Sequence, residues 1–448
     1  MSDSFVISGE GFILRNNFCT LHVSVGGKGV YNVQLIRSTN NGVTWGGHVC
    51  ISSSPIDQWY PDVKMIDVPS YGKIVFVVWQ ETDNPINSPS AICTKAVYFS
   101  NFNNVWYGKR TLIQSNNLYN YPRIAGTLTD CASNDGGNTA YDLMRLHFVW
   151  EAYVGQGPST HWEIQMNNMY WENDGIEGIH WGSAFPVAWA DYVDLRHPSI
   201  DAGVPYGDDE IGSGNNEHVV LTYDCRWRDI GIVDARFKYL PFNGQSNLPS
   251  SNIGGMGDLI FPTQNSFYYP DTTIWGYKES VYPYNWRWET VVVGQKDSSN
   301  YIAGRASINL GVSWGSEVNV GSMGQSSPQL RGVAIDSGIG DGDYWTHHPG
   351  GIYVIWDIDK DEMGQSASEI RSRRLGITPS GILNSPDPTY GVDTTGLYSG
   401  DLRYVATSIT YCWNSGYRED YTHNLYNIVV GSSVEPIWTG SVVYYRQP

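Results

Sequence analysis

Short apolar stretches separated by polar turns run the length of this chain, and no segment carries the three-to-four spacing of a long amphipathic helix. The stretches form repeats. Each repeat opens with an aromatic or polar pair, then Pro, then an apolar strand: Trp59-Tyr60-Pro61-Asp62-Val63, Asn120-Tyr121-Pro122-Arg123-Ile124, Arg196-His197-Pro198-Ser199-Ile200, Tyr268-Tyr269-Pro270-Asp271-Thr272 and Ser326-Ser327-Pro328-Gln329-Leu330. A sixth opening, Gly400-Asp401-Leu402-Arg403-Tyr404, lacks the Pro. Pro is tolerated at the first residue of a strand because no ladder donor is lost there. The openings with Pro recur every 58 to 76 residues. Second strands are predicted at residues 20–25, 74–79, 146–150, 218–223, 289–293, 352–356 and 425–430, and third strands at 31–37, 96–100, 164–170, 232–239, 301–307, 369–375 and 441–446. That is seven pairs against six visible first strands. Residues 5–7 and 12–14 are apolar enough to supply the outer strand of a last unit and the inner strand of a first one.

One phrase occurs twice: Ser38-Thr39-Asn40-Asn41-Gly42-Val43-Thr44-Trp45 and Ser307-Ile308-Asn309-Leu310-Gly311-Val312-Ser313-Trp314. Its residues suit a tight hairpin. Asn40 and Asn309 can bond their own backbone two residues on, Gly supplies a positive φ, and Trp packs back between sheets. The phrase resembles the Asp box of the BNR-repeat, sialidase-like β-propellers, with Asn in place of Asp. Ser100-Asn101-Phe102-Asn103-Asn104-Val105-Trp106 and the stretch from Asn173-Asp174-Gly175 to Trp181 look like decayed copies. The resemblance implies an all-β fold, a β-propeller of four-stranded blades. Counting strands gives seven blades of about 64 residues each, closed by overlap of the N- and C-terminal strands, with six blades, as in sialidases proper, as the alternative. The whole chain, 1–448, reads as one propeller domain. Asp boxes in this family lie on the face opposite the ligand pocket, so function is expected on the other, upper face.

Composition agrees with many short strands: aromatics are 14%, charged residues 16%, and Gly numbers 49. A net charge of −18 argues against nucleic acid or an anionic membrane as partner, and suits an extracellular or surface-exposed protein. No apolar run reaches the roughly 20 residues of a membrane span, and Met1-Ser2-Asp3-Ser4 does not begin a signal peptide. No Asn-x-Ser/Thr acceptor is present, which disfavours an N-glycosylated secreted protein. The six cysteines lie far apart without a Cys-x-x-Cys pair, leaving free thiols and one or two disulfides both open.

In a propeller, the upper face collects the strand openings and the ends of the second strands. It therefore brings together Trp59, Tyr60, Tyr121, His197, Tyr268 and Tyr269, with Asp62, Arg123, Asp271, Gln329 and Arg403 just after the Pro position. The second strands end in an aromatic and a carboxylate: Trp79-Gln80-Glu81, Trp150-Glu151, Tyr223-Asp224 and Trp356-Asp357. Aromatics beside carboxylates suit a sugar, since rings stack on C–H faces and carboxylates accept hydroxyl bonds. The competing role for each aromatic is to wedge blade against blade. Exposed loop aromatics such as Tyr153, Trp162, Tyr344 and Trp345 suit contact with a protein, including further copies of the chain. On the lower face, Asp336, Asp341 and Asp343 have the oxygen chemistry of a structural Ca²⁺ site, although no stretch forms a complete calcium loop; no cofactor is required.

Sialidase chemistry needs a cluster of Arg side chains that clamps a carboxylate. The family's Phe/Tyr-Arg-Ile-Pro motif is absent, replaced by Gly11-Phe12-Ile13-Leu14-Arg15-Asn16, although Arg15, Arg123 and Arg403 sit where a clamp could form. A carboxylate-pair glycoside hydrolase would draw on Glu151, Asp224, Asp357, Asp62 and Asp271, with a pair about 5 to 9 Å apart and one acid raised in pKa. Against it stand the decayed boxes and the missing Arg motif. The expectation is therefore a non-catalytic recognition propeller that binds carbohydrate through its upper face, with Arg123, Arg403, Trp59, Tyr60, Tyr121, His197, Tyr268, Trp150 and Trp356 as ligand contacts and the glycoside hydrolase as the alternative.

Overall fold

The computed structural model describes residues 4–5, 18–25, 31–38, 49–52, 54–68, 71–83, 89–129, 143–155, 160–172, 178–203, 217–242, 246–261, 266–281, 284–296, 301–322, 333–339, 349–358, 369–377, 380–384, 390–391, 402–412, 424–433 and 441–446. Among these, every regular element is a strand, and the strands form seven antiparallel sheets in chain order. Sheet 1 holds Ser4–Phe5, Phe18–Val25, Tyr31–Ser38 and Val49–Cys50; sheet 2 holds Gln58–Val68, Gly72–Glu81, Ala91–Tyr98 and Asn101–Gln114. Sheet 3 runs Tyr119–Thr129, Leu143–Val154 and His161–Glu172, with Gly178–Trp181 and Phe185–Ala188 sharing its outer edge. Sheet 4 holds Val193–Gly203, Glu217–Trp227, Val233–Phe242 and Asp258–Leu259; sheet 5 holds Phe267–Val281, Tyr284–Lys296, Tyr301–Ser307 and Val318–Ser322. Sheet 6 holds Val333–Ile339, Pro349–Ile358 and Glu369–Ile377, edged by Leu383–Asn384 and Tyr390–Gly391; sheet 7 holds Leu402–Cys412, Asn424–Ser433 and Ser441–Arg446.

The first strands of sheets 2 to 7 touch one another in succession. Lys64 in sheet 2 also reaches Asp201 in sheet 4, at 3.9 Å, so these strands gather about a common axis. The fold is a β-propeller of antiparallel blades, four-stranded in sheets 1, 2, 4 and 5. Its core lies between blades, which explains why the second strands read as apolar runs: those of sheets 2 to 5 are covered on both faces. Val75, Val77 and Trp79 pack toward sheet 1 with Val33 and Leu35. Their neighbours Ile74, Phe76 and Val78 pack toward sheet 3 with Leu146, Phe148 and Trp150. Sheets 3 and 4 meet over Val149, Leu221 and Tyr223, sheets 4 and 5 over Val220, Phe237 and Val292, and sheets 5 and 6 over Val291, Val293 and Trp356.

The predicted second and third stretches all fall on strands. The largest displacement is at 96–100, where the ladder begins earlier and spans Ala91–Tyr98. One expectation changes. Ser4–Phe5 pairs with Phe18–Val25 in sheet 1, through Ser4↔Ser24 and Phe5↔Val23, and so is the innermost strand there rather than the outer strand of the last sheet. It does touch Asn424–Ser433 of sheet 7. The opening at Ser326-Ser327-Pro328 lies outside the described residues; the described part of the first strand of sheet 6 is Val333–Ile339. Residues 12–14 are also outside the described set.

The second copy of the repeated phrase forms the hairpin between Tyr301–Ser307 and Val318–Ser322. Asn309 closes it. Its Oδ1 accepts the Ser313 N–H at 2.9 Å and the Ser307 hydroxyl at 2.9 Å, while Ser307 Oγ accepts the Gly311 N–H at 2.9 Å. Trp314 meets Phe237 of sheet 4 edge to face at 5.1 Å. Because Tyr301, at the other end of its strand, pairs with Lys296, which in turn pairs with Phe267, the hairpin lies at the end of the sheet remote from Tyr268 and Tyr269. The first copy falls outside the described residues from Thr39 on.

Gly311 has φ of +82°, and a Cβ there would enter the Phe237 ring. Gly311→Ala is therefore expected to destabilise the protein by about 2 kcal/mol or more through backbone strain and overlap with a buried ring. Gly108→Ala, with nothing within 4 Å of its Cβ position, should change stability by less than about 0.5 kcal/mol. Urea denaturation of the two variants beside the parent checks the contrast.

Candidate functional site

The first strands of sheets 2 to 5 begin with the same distortion. Register slips between Trp59 and Asp62, between Arg196 and Ser199 and between Tyr268 and Asp271, and opposite Val149 and Glu151 in sheet 3. Inside each slip the residue before Pro is left-handed: φ is 47° at Tyr60, 48° at Tyr121, 50° at His197 and 50° at Tyr269. Pro bars its predecessor from the right-handed helical region, and a bulky residue at positive φ persists only where its surroundings hold it. Two of those restraints are explicit. Glu151 Oε1 accepts the His197 N–H, and Asp224 Oδ1 accepts the Tyr269 N–H at 2.8 Å. In each case a carboxylate at the end of one sheet's second strand fixes the opening of the next sheet.

The four left-handed residues turn their rings toward one another. Tyr60 and Tyr121 lie 4.2 Å apart between centroids, Tyr121 and His197 4.9 Å, and His197 and Tyr269 4.4 Å. The rings form a continuous arc across four sheets, each one partly exposed. Behind the arc, Glu151 Oε2 takes the Arg196 Nε–H at 2.7 Å, while Asp224 Oδ2 lies 2.7 Å from His197 Nδ1 and accepts from Arg226 at 3.2 Å. Both carboxylates are fully buried and Arg226 keeps a side-chain exposure of 35%. Asp224 thus holds the ring of His197 and the backbone of Tyr269 together.

Asp62 and Asp271 lie one step further along the same strands. Asp62 Oδ2 accepts the Ile124 N–H at 2.9 Å and its Oδ1 the Val63 N–H at 3.0 Å; Asp271 Oδ2 accepts the Ile335 N–H at 2.9 Å and its Oδ1 the Ser199 hydroxyl. Asp201, which the sequence reading passed over, does the same for Ile274 N–H at 2.9 Å. Burial pushes the Asp62 carboxyl up to about 6, against the opposing pull of the Arg123 charge and the two N–H donors. Burial also raises Asp271, against its bond from Ser199 and the same Arg123. Arg123 therefore stands close to both carboxylates, and charged groups from sheets 2, 3 and 5 converge at the axis.

The remaining expected contacts divide. Trp59 is partly exposed and donates its Nε1–H to the Thr82 carbonyl at 3.1 Å, and Tyr268 occupies the equivalent register position one residue before the arc. Trp150 and Trp356 are corrections: both are fully buried between sheets, so neither presents a face to a ligand. Arg403 is a second correction. Its register, just before the slip to Ala406, aligns it with Trp59, Asn120, Arg196 and Tyr268 rather than with Arg123, and it places Tyr404 in the column of the arc. Asp357 and Asp336 are placed by strand register alone, opposite Ile370 and Tyr353. Asp341 and Asp343 lie outside the described residues. Arg196 and Arg226 were missed, although each stands two residues from a singled-out carboxylate or beside a singled-out ring.

Because the folded state raises the Asp62 pKa from 3.8 to about 6, folding holds a proton that the unfolded chain releases. The stability from that proton is fully present below about pH 4 and is lost as pH rises through about 6. Asp62→Asn keeps an acceptor for Ile124 and removes this titration. Parent stability is expected to fall relative to the variant by about 2 kcal/mol between pH 4 and pH 7, as read from denaturation midpoints at each pH.

No family model matches this chain, and no curated protein sequence matches it. Solved structures similar in fold include the endosialidase of phage phi92, at 12% identity and a TM-score of 0.41, covering 99% of this chain and 68% of that one. The NanB sialidase of Streptococcus pneumoniae is 10% identical, with a TM-score of 0.39 over 98% of this chain and 67% of that one. The GH93 α-L-arabinofuranosidase of Fusarium graminearum is 10% identical, with a TM-score of 0.37 over 99% and 97%.

Proposed function

We propose that this protein is a recognition propeller that binds carbohydrate on the face opposite the hairpin at Asn309, and that it does so without turnover. The observation that carries the reading is the ring arc Tyr60, Tyr121, His197, Tyr269. Rings held at fixed angles, with polar groups behind them, offer a platform for sugar C–H faces and bonds for the hydroxyls. The candidate carboxylates support binding over catalysis: Glu151, Asp224, Asp62 and Asp271 each accept a backbone N–H from the following sheet. A nucleophile or base so engaged would have to break the frame that positions the site. One observation favours the glycoside hydrolase as a second reading, namely that Asp62 is raised to about 6, in the direction a general acid requires. The same proposal takes residues 1–448 as one domain of seven blades, closed through the contact of Ser4–Phe5 with Asn424–Ser433, and displayed outside the cell with its net charge of −18. Among the described residues, no helix is long and apolar enough to cross a membrane.

Screening the full chain on a glycan array, followed by titration of the best hits, tests this. Tyr121→Ala is expected to weaken binding about tenfold, the loss of one ring's stacking, and the parent should leave the glycan uncleaved. Cleavage by the parent that Asp62→Asn abolishes would replace this reading with the hydrolase.

A further inference from the structure

Beside the arc lies a second aromatic pair. Tyr153 and Trp162 face each other across the end of sheet 3, directly opposite in register, with ring centroids 5.2 Å apart. Both are partly exposed. They sit at the same end of the sheet as Tyr121, since Glu151, two residues before Tyr153, pairs with Asn120. The two ring systems are joined by consecutive residues. Arg196 lays its guanidinium over Trp162 at 4.1 Å while its Nε–H bonds Glu151, and His197, the next residue, is the third ring of the arc.

The second pair is also held in place before any ligand arrives. The Trp162 N–H donates to Asp194 at 2.9 Å, and Asp194 is clasped by Arg228 through both of its oxygens. Arg196 lies over the ring itself. A platform fixed in this way avoids part of the ordering cost of binding.

Charge narrows the ligand. Every guanidinium described around these rings faces a carboxylate: Arg196 faces Glu151, Arg226 faces Asp224, and Arg228 faces Asp194. Arg123 acts on both Asp62 and Asp271. The charge of each of these guanidinium groups is already balanced by a carboxylate, so the site offers an acidic sugar no uncompensated positive charge. Neutral hydroxyls need none.

Building on the carbohydrate reading above, we infer that the site is elongated and takes a neutral oligosaccharide, one end on the ring arc and the other on the Tyr153–Trp162 platform. A monosaccharide would cover the arc alone. The chain of the ligand runs outward from the axis over the Arg196–His197 step, across the junction of sheets 3 and 4.

Titration calorimetry of the full chain with neutral saccharides of one to six units, and with uronic-acid oligosaccharides of matching length, tests both parts. Affinity for the neutral series is expected to rise about tenfold once the ligand spans both platforms, and the acidic series to bind at least tenfold more weakly. Trp162→Ala should flatten the rise with length, with Tyr153→Ala as an independent check should the first variant fold poorly. Tyr121→Ala should lower affinity at every length. A length dependence that survives both Trp162→Ala and Tyr153→Ala, or acidic ligands that bind as well as neutral ones, overturns this inference and leaves the carbohydrate reading standing. Failure of Tyr121→Ala to weaken any ligand, or no binding of any saccharide, overturns the carbohydrate reading itself.

Discussion

Backbone N–H groups on the inner edges of the first strands are the constraint from which the rest of this structure follows. Each first strand pairs with only one strand of its own sheet, so its other edge is left without a ladder. Around a crowded axis that edge is buried, and an unmet donor there costs on the order of 1–3 kcal/mol. Polar side chains of the preceding sheet fill the gap: Asp62 serves Ile124, Ser199 serves Thr272, Asp201 serves Ile274 and Asp271 serves Ile335. Glu151 and Asp224 do the same at the strand openings, for His197 and Tyr269.

This arrangement accounts for a feature that resembles chemistry. At Trp150-Glu151 and Tyr223-Asp224 the carboxylates follow the aromatics where each sheet supplies an acceptor to the next one. Their proximity to a mouth lined with rings is a consequence of the same geometry. The left-handed residues are strained on their own, and the acceptors that hold two of them also aim their rings. The ring arc and the frame of the fold therefore share atoms, most plainly at Asp224, which touches one arc member through its ring and the next through its backbone.

Much of the fold was legible because second strands sandwiched between blades carry apolar runs, as at residues 74–79, where no polar residue intrudes before Gln80. The turn chemistry around Asn309 was legible for a similar reason, since each residue type there answers a local demand. The site was legible in part. The aromatic–Pro dipeptides marked Tyr60, Tyr121, His197 and Tyr269, but a Pro at the start of a strand and a Pro inside a bulge look the same in sequence, so the positive φ that groups the rings was hidden. Trp150 and Trp356 were misjudged because they lie within second strands sandwiched between blades, where an aromatic is buried whichever way it points. Asp201 left a trace that period-two reading catches: Ser199 and Asp201, like Asp62 and Lys64, are polar positions alternating with Ile200 and Val63 on the axial face. Arg403 was placed wrongly because, without Pro, nothing in its opening marks where the bulge falls.

Each ring of the arc is contributed by a different repeat at the same structural position, three times as tyrosine and once as histidine. A mutation at one of these positions alters the chemistry of a single spot on the platform while the backbone of the other three repeats stays as it was. Such a surface can diversify by editing one repeat at a time, the way a text is revised letter by letter, with the cost of the strained backbone carried by acceptors that lie outside the edited position.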